Sequence, residues 1–155
     1  MKKYFRDHQS GRSMIEMVGV LAVSGLLTAG AFVLIQSGME SQKRSRTADE
    51  ISSLVQNVRS LTAESDSFSK LPAYSSDGAN GKNLAKALLK ASTATAVTPF
   101  GGTSYYAITR ASGTNAQFIV WVVGTGDCET MKLRSYSGGS ADCDANGALK
   151  ITYSR

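Results

Sequence analysis

Hydrophobic and polar positions divide the chain into three regimes. Residues 17–35 carry no formal charge and are mostly apolar, and the apolar run reaches back to Met14 with Glu16 as its one interruption. As a helix this stretch extends about 29 Å at 1.5 Å per residue, which matches the hydrocarbon core of a bilayer. Next, Ile51, Leu54, Val55, Val58 and Leu61 recur at steps of three and four among Asp49, Glu50, Gln56, Asn57 and Arg59. That spacing predicts a helix with one apolar stripe, which reads as core packing. No proline interrupts residues 13–71. The two patterns therefore predict one long helix whose second half packs on a globular domain.

The third regime is short-period. Residues 64–81 are rich in Ser, Asp, Gly and Asn and read as a surface loop. A short helix is expected over 82–92, with Leu84, Leu88 and Leu89 on its packing side. Strands are expected over 104–110, 117–123, 131–136 and 148–153, with Gly113-Thr114-Asn115 as the turn between the first two. The fold class is α+β: a long N-terminal helix lying on a small antiparallel sheet.

Composition narrows this picture. The 155 residues suit one small globular domain with one appendage and leave no room for two cores. Fifteen glycines against two prolines, with few aromatics, place the helix mainly in the N-terminal half and a turn-rich sheet after it. The net charge of +5 is modest, so nucleic acid is not an expected partner. His8 is the one histidine and precedes the apolar run. The rest of the chain therefore lacks the imidazole of a Ser/His or Cys/His mechanism or of a typical zinc site. No phosphate-cradling glycine motif occurs either, so no enzyme and no cofactor is expected.

Three processing routes fit the apolar run. It is the h-region of a secretory signal cut at Ala29-Gly30-Ala31, an uncut single-pass anchor, or the retained helix of a chain cut between Gly11 and Arg12. The first is disfavoured because apolar sequence continues through Phe32, Val33, Leu34 and Ile35. Glu16 separates the others. An ionisable side chain in an apolar span costs about 2 to 3 kcal/mol near the bilayer centre and less toward the ends, so it usually has a partner. Cleavage after Gly11 creates one, an α-amino group four residues before Glu16. Pairing between neighbouring copies would stagger one helix against the next. The plainer alternative is a hydrated Glu16 in the interfacial region. Four Lys or Arg precede the span and Lys43, Arg44 and Arg46 follow it, a weak bias toward a cytoplasmic N-terminus.

The segment Gly11-Arg12-Ser13-Met14-Ile15-Glu16-Met17-Val18, followed by a long apolar helix, resembles the prepilin signature of type IV pilins: a glycine, then a hydrophobic stretch with glutamate fifth in the mature chain. In that family the first mature residue is usually apolar and N-methylated, whereas here it is Arg12. Residues 26–33, Ser41-Gln42 and Pro99-Phe100-Gly101-Gly102 further resemble the small type IVb pilins. The resemblance implies a leader over 1–11, a transmembrane and assembly helix over 12–35, its amphipathic continuation over 36–64 and a globular domain over 65–155. Removing the leader takes away Lys2, Lys3, Arg6 and Asp7, a net +2, and leaves +3. It also implies processing by a prepilin peptidase and insertion in a bacterial inner membrane with the domain in the periplasm. The inner-membrane assembly machinery then builds a helical homo-oligomer, an extracellular pilus that contacts host or cell surfaces. The implied roles are adhesion, conjugation or related surface functions. A secretion pseudopilin or minor pilin is the close alternative, and a secreted or membrane-anchored binding domain the distant one.

Cys128 and Cys143 close a loop if the domain is exported and are two reduced, buried thiols if it is not. In pilins a disulfide-bounded loop is exposed and carries subunit contacts, which by resemblance points to residues 130–142, with 135–141 too polar for the core. Asp142, Asp144 and Asn146, followed by Gly147, match the opening of a calcium loop, but the ninth and twelfth positions are Lys150 and Tyr153, so the bidentate ligand is missing. Asn146-Gly147 reads better as a hairpin turn before the last strand.

Overall fold

The computed structural model describes residues 14–65, 67–76, 78–90 and 98–155. These fall into two compact units, one ending at Glu40 and the other spanning Ser41–Arg155. Helix α1 (Met14–Leu61) supplies the whole described part of the first unit and the opening of the second.

In the first unit α1 is long and apolar enough to cross a membrane, and none of that stretch is buried within the chain. Ile15 is 83% exposed and Leu26 76%. Its hydroxyl groups are satisfied by the helix itself: Ser24 Oγ donates to the Val20 carbonyl at 2.8 Å, Thr28 Oγ1 to that of Ser24 at 2.8 Å, and Ser37 Oγ to that of Leu34 at 3.0 Å. Internal satisfaction of polar groups is what an apolar solvent demands.

In the second unit the expected stripe is the buried one. Ile51, Leu54, Val55 and Val58 are buried, with Thr47 beside them. Each such aliphatic side chain contributes about 1.5 to 3 kcal/mol by leaving water. They pack on an antiparallel sheet of β1 (Tyr105–Arg110), β2 (Gln117–Val123), β3 (Gly139–Cys143) and β4 (Leu149–Ser154), in the order β1-β2-β4-β3. Tyr106 pairs with Val122, and Val122 with Leu149; Ile108 pairs with Val120, and Val120 with Ile151. These rows form the core face together with Phe118 and Tyr153, whose rings stack at 5.3 Å. The class is the expected one, an α+β, pilin-like fold.

The opposite face of the sheet is also covered. Ala107, Ile119, Trp121 and Ala148 make a second apolar cluster. Trp121 is fully buried and donates from Nε1 to Thr109 Oγ1 at 2.9 Å. Gly78 lies so close that a Cβ there would sit 2.8 Å from Trp121 Cγ. The loop expected to be surface therefore seals this face, and its Phe68 and Leu71 are buried in the main core.

Both sheet edges are partly covered. A short 3-10 helix (Ala79–Gly81) and α2 (Lys82–Leu88) cover β1, and a Cβ on Gly81 would lie 2.2 Å from the Ile108 carbonyl oxygen. Leu84, Leu88 and Leu89 pack on the core as expected, around the fully buried Ala85. The helix stops earlier than 92, since Lys90 takes a left-handed φ of 50°. On the β3 edge, the Gly139 N–H donates to the Tyr136 carbonyl at 2.9 Å and the Cys143 N–H to the Asp142 carboxylate at 2.9 Å. Partners at both ends of the strand leave little of this edge open to strand addition.

One strand expectation fails. Residues 131–136 are not a strand: α3 (Cys128–Lys132) ends there, and the third strand is Gly139–Cys143 instead. Met131 and Tyr136 both point into the core, five positions apart, which no period-2 strand allows. Gly138, at φ 73°, turns the chain back, and β3 begins at Gly139, where a Cβ would lie 2.7 Å from Ile151 Cγ2 and Tyr153 Cε1. Glycine is what lets the strand lie against those side chains. The polar stretch 135–141 is thus partly structural, with Tyr136 buried and Ala141 against the core. α1 likewise ends at Leu61, ahead of the boundary expected at 64, and a turn follows.

Candidate functional site

Two regions carry the residues singled out from sequence, one in each unit. Gly11 and Arg12, the expected cleavage position, lie outside the described residues. Glu16 stands in the first turn of α1 as described, between Ile15, 83% exposed, and Met17, 58% exposed. Its carboxylate makes no hydrogen bond or ion pair with another described residue. A helix N-terminus favours an anion by about 0.3 to 1 kcal/mol, too little to offset burial of a carboxylate in an apolar medium. Glu16 therefore needs water or a cation from outside the described residues. The neighbouring side chains offer any contacting surface an apolar face and one charge.

The second region is the loop bounded by Cys128 and Cys143, which are joined by a disulfide with Cα atoms 5.9 Å apart. Closing a loop of this size contributes about 3 kcal/mol by restricting the unfolded chain. The bridge ties the start of α3 to the end of β3. Asp127, just before it, forms an ion pair with Arg44 of α1. The interior is anchored by Met131 and Tyr136, whose hydroxyl donates to the Met131 carbonyl at 3.1 Å. Lys132 Nζ reaches Asp142 Oδ1 at 3.0 Å across the loop. The Lys132 ammonium, helped by the Cys143 N–H, holds the Asp142 carboxyl below the usual range.

These anchors leave Leu133 outward, 86% exposed, beside Arg134. Leu133 is the most exposed large apolar side chain among the described residues of Ser41–Arg155. Sequence reading did not single it out, because one leucine within an expected strand looks like core. The signal that could have found it is its flanking by Lys132 and Arg134.

The residues considered for calcium form a hairpin instead. Asp144 Oδ2 accepts from Asn146 Nδ2 at 3.1 Å, the Gly147 N–H donates to the Asp144 carbonyl at 2.8 Å, and Gly147 takes a φ of 73°. The hairpin expected before the last strand is present, but its turn is the three residues Ala145-Asn146-Gly147 with Gly147 alone left-handed, and not the two-residue Asn146-Gly147 turn, which needs a left-handed Asn146 as well. Asp142 is turned to Lys132, away from that set of bonds. Among the described residues no group of three or more His, Cys, Asp or Glu side chains converges to hold a metal ion.

Buried tyrosines give the domain a pH response. Burial pushes the Tyr153 hydroxyl up to about 12, and burial with the Glu50 carboxylate, 2.5 Å from the hydroxyl, raises Tyr106 further. In the unfolded chain both would ionise near 10. Folded values above unfolded ones mean that this stability is complete below about pH 10 and is lost as pH rises toward 12. The expected result is a thermal midpoint steady from pH 7 to 9 that falls steeply above 10, with phenolate absorbance rising together with unfolding.

The chain matches no known protein-family model, and no curated protein is significantly similar to it. Its pilin-like character rests on the long apolar helix, the small antiparallel sheet and the disulfide.

Proposed function

We propose that this chain is the structural subunit of a type IV pilus-like filament, cut after Gly11 and assembled through its N-terminal helix. One observation carries the reading: Glu16 lies in the stretch of α1 before Ser41, where the apolar side chains are exposed, and it has no partner among the described residues. A lipid bilayer accepts the apolar surface but not an unpaired carboxylate, whereas a bundle of identical helices with free amino termini accepts both. The repeated contact is heterologous and staggered, so it propagates a filament instead of closing a ring.

The disulfide supports export of the second unit to an oxidising compartment. With the N-terminus cytoplasmic, the helix is held in a bacterial inner membrane before assembly, and the domain faces outward in the filament. The disulfide-bounded loop, with Leu133 exposed, is the surface offered to neighbouring subunits or to other cells. The work of the protein is mechanical and adhesive.

Mass spectrometry of the native N-terminus tests the processing step. The expected chain begins at Arg12, with or without one added methyl group. A chain beginning at Phe32 or at Met1 would overturn the proposal in favour of a secreted or anchored domain.

A further inference from the structure

We propose that the groove between Tyr74 and the β1–β2 hairpin binds an acidic saccharide. The groove has a volume of about 450 Å³ and lies wholly within the second unit. Its walls are Tyr74 on one side and Arg110, Ser112, Thr114 and Asn115 on the other. It bears one cation, and none of the described residues lining it is acidic.

The hydrogen-bonding inventory of the groove is one-sided. Arg110 Nη1 donates to Asn115 Oδ1 at 3.2 Å, which holds the guanidinium and the amide side by side. That bond uses one of the five N–H groups of the guanidinium and one of the two lone pairs of the amide oxygen, and it leaves the amide's two donors. Thr114 Oγ1 accepts from the Ala116 N–H at 3.1 Å, so its own hydrogen remains to be donated. The hydroxyls of Ser112 and Tyr74 make no hydrogen bond with another described residue. Donors therefore outnumber acceptors, and a ligand rich in acceptor oxygens with a negative charge completes the set.

Tyr74 selects a saccharide over an acidic peptide. Among the described residues of Ser41–Arg155 it is the most exposed aromatic side chain, at 37%, and its ring centroid lies 6.0 Å from that of buried Trp121. The exposed part of the ring offers an apolar surface to the C–H face of a pyranose, while the hydroxyl and amide donors meet its oxygens. A peptide has no strand to join here, because the β1 edge is covered by the 3-10 helix and α2.

The test is saturation-transfer NMR with titration on the full chain in detergent micelles, where binding is read without reference to filament formation. The probes are trigalacturonate and 3′-sialyllactose, with maltotriose as the neutral sugar and hexaglutamate as the acidic peptide. Trigalacturonate or 3′-sialyllactose is expected to bind and maltotriose and hexaglutamate to bind at least about tenfold more weakly, as loss of a charge-assisted contact or of the ring surface implies. Arg110→Gln and Tyr74→Ala should each weaken the acidic saccharide by a similar factor, while Lys86→Gln, on α2, leaves it unchanged. Trp121 fluorescence reports whether each variant is folded, and either folded variant suffices. Absence of binding by both acidic saccharides, equal binding of hexaglutamate or maltotriose, or undiminished binding in a folded variant would overturn the proposal.

Discussion

Replacing Glu16 by alanine is expected to abolish filaments while leaving the chain folded, processed and resident in the membrane. The substitution removes the anion but keeps the α-amino cation that cleavage creates. Leaving one member of a buried ion pair alone costs about 3 to 5 kcal/mol, roughly two to four orders of magnitude in an association constant, at every subunit contact. The second unit should not notice, since Glu16 lies outside it and its disulfide and Trp121 environment are formed from Ser41–Arg155 alone. Sheared-filament yield, set against membrane-bound monomer and Trp121 fluorescence, reads the effect. Normal filament yield from Glu16→Ala would mean that the carboxylate is merely hydrated at the interface and aligns nothing.

The largest stability effect is expected from Gly81→Ala. Gly81 has an ordinary φ of −93°, so its need for glycine is spatial. A Cβ there would meet the backbone of Ile108, 2.2 Å from the carbonyl oxygen and 2.4 Å from the nitrogen. Backbone in the middle of β1 cannot swing aside as a side-chain tip can, so α2 must lift from the strand and expose Ala85 and the β1 edge. Overpacking costs about 1 to 3 kcal/mol, and a clash with strand backbone this close belongs at the upper end. Chemical denaturation of the variant should show that loss together with faster aggregation from the freed edge. A midpoint within error of the wild type would show that the strand is not held as closely as described. Gly113→Ala is the matched control for space, because nothing lies within 4 Å of its Cβ position, although its φ of 74° carries its own strain.

How far the fold was legible in the sequence depended on whether periodicity or context set each element. The stripe of Ile51, Leu54, Val55 and Val58 and the runs at 105–110, 117–123 and 149–154 announced themselves, because each repeats its local pattern several times. The strand Gly139–Cys143 did not: its residues alternate only between half-buried and exposed, and its glycine is required by Ile151 and Tyr153, residues distant in sequence. Residues 131–136 looked like a strand because Met131, Leu133 and Tyr136 are apolar, yet Leu133 faces solvent and the other two face the core through a helix and a turn.

The covered second face was legible and went unread. Phe118, Ile119, Val120, Trp121 and Val122 are consecutive and all buried, and an unbroken apolar strand signals burial on both sides of a sheet. That alone required a covering segment, and the polar loop of Tyr74 and Gly78 was the one at hand. In the candidate site, Glu16 and the two cysteines were visible from residue type and position. Leu133 and the donor-rich groove beside Tyr74 were not, since each depends on which neighbours the fold turns away from the surface.

The most direct measurement on the assembly is a cryo-EM reconstruction of filaments sheared from cells that make this chain. The expected map has an axial core built from the apolar helix that begins in this chain near Met14, with the Ser41–Arg155 unit outside. Each Glu16 carboxylate should lie within ion-pairing distance of the terminal amine of an adjacent copy. A core made by any other segment, a Glu16 facing solvent, or filaments that lack this chain would contradict the proposed assembly.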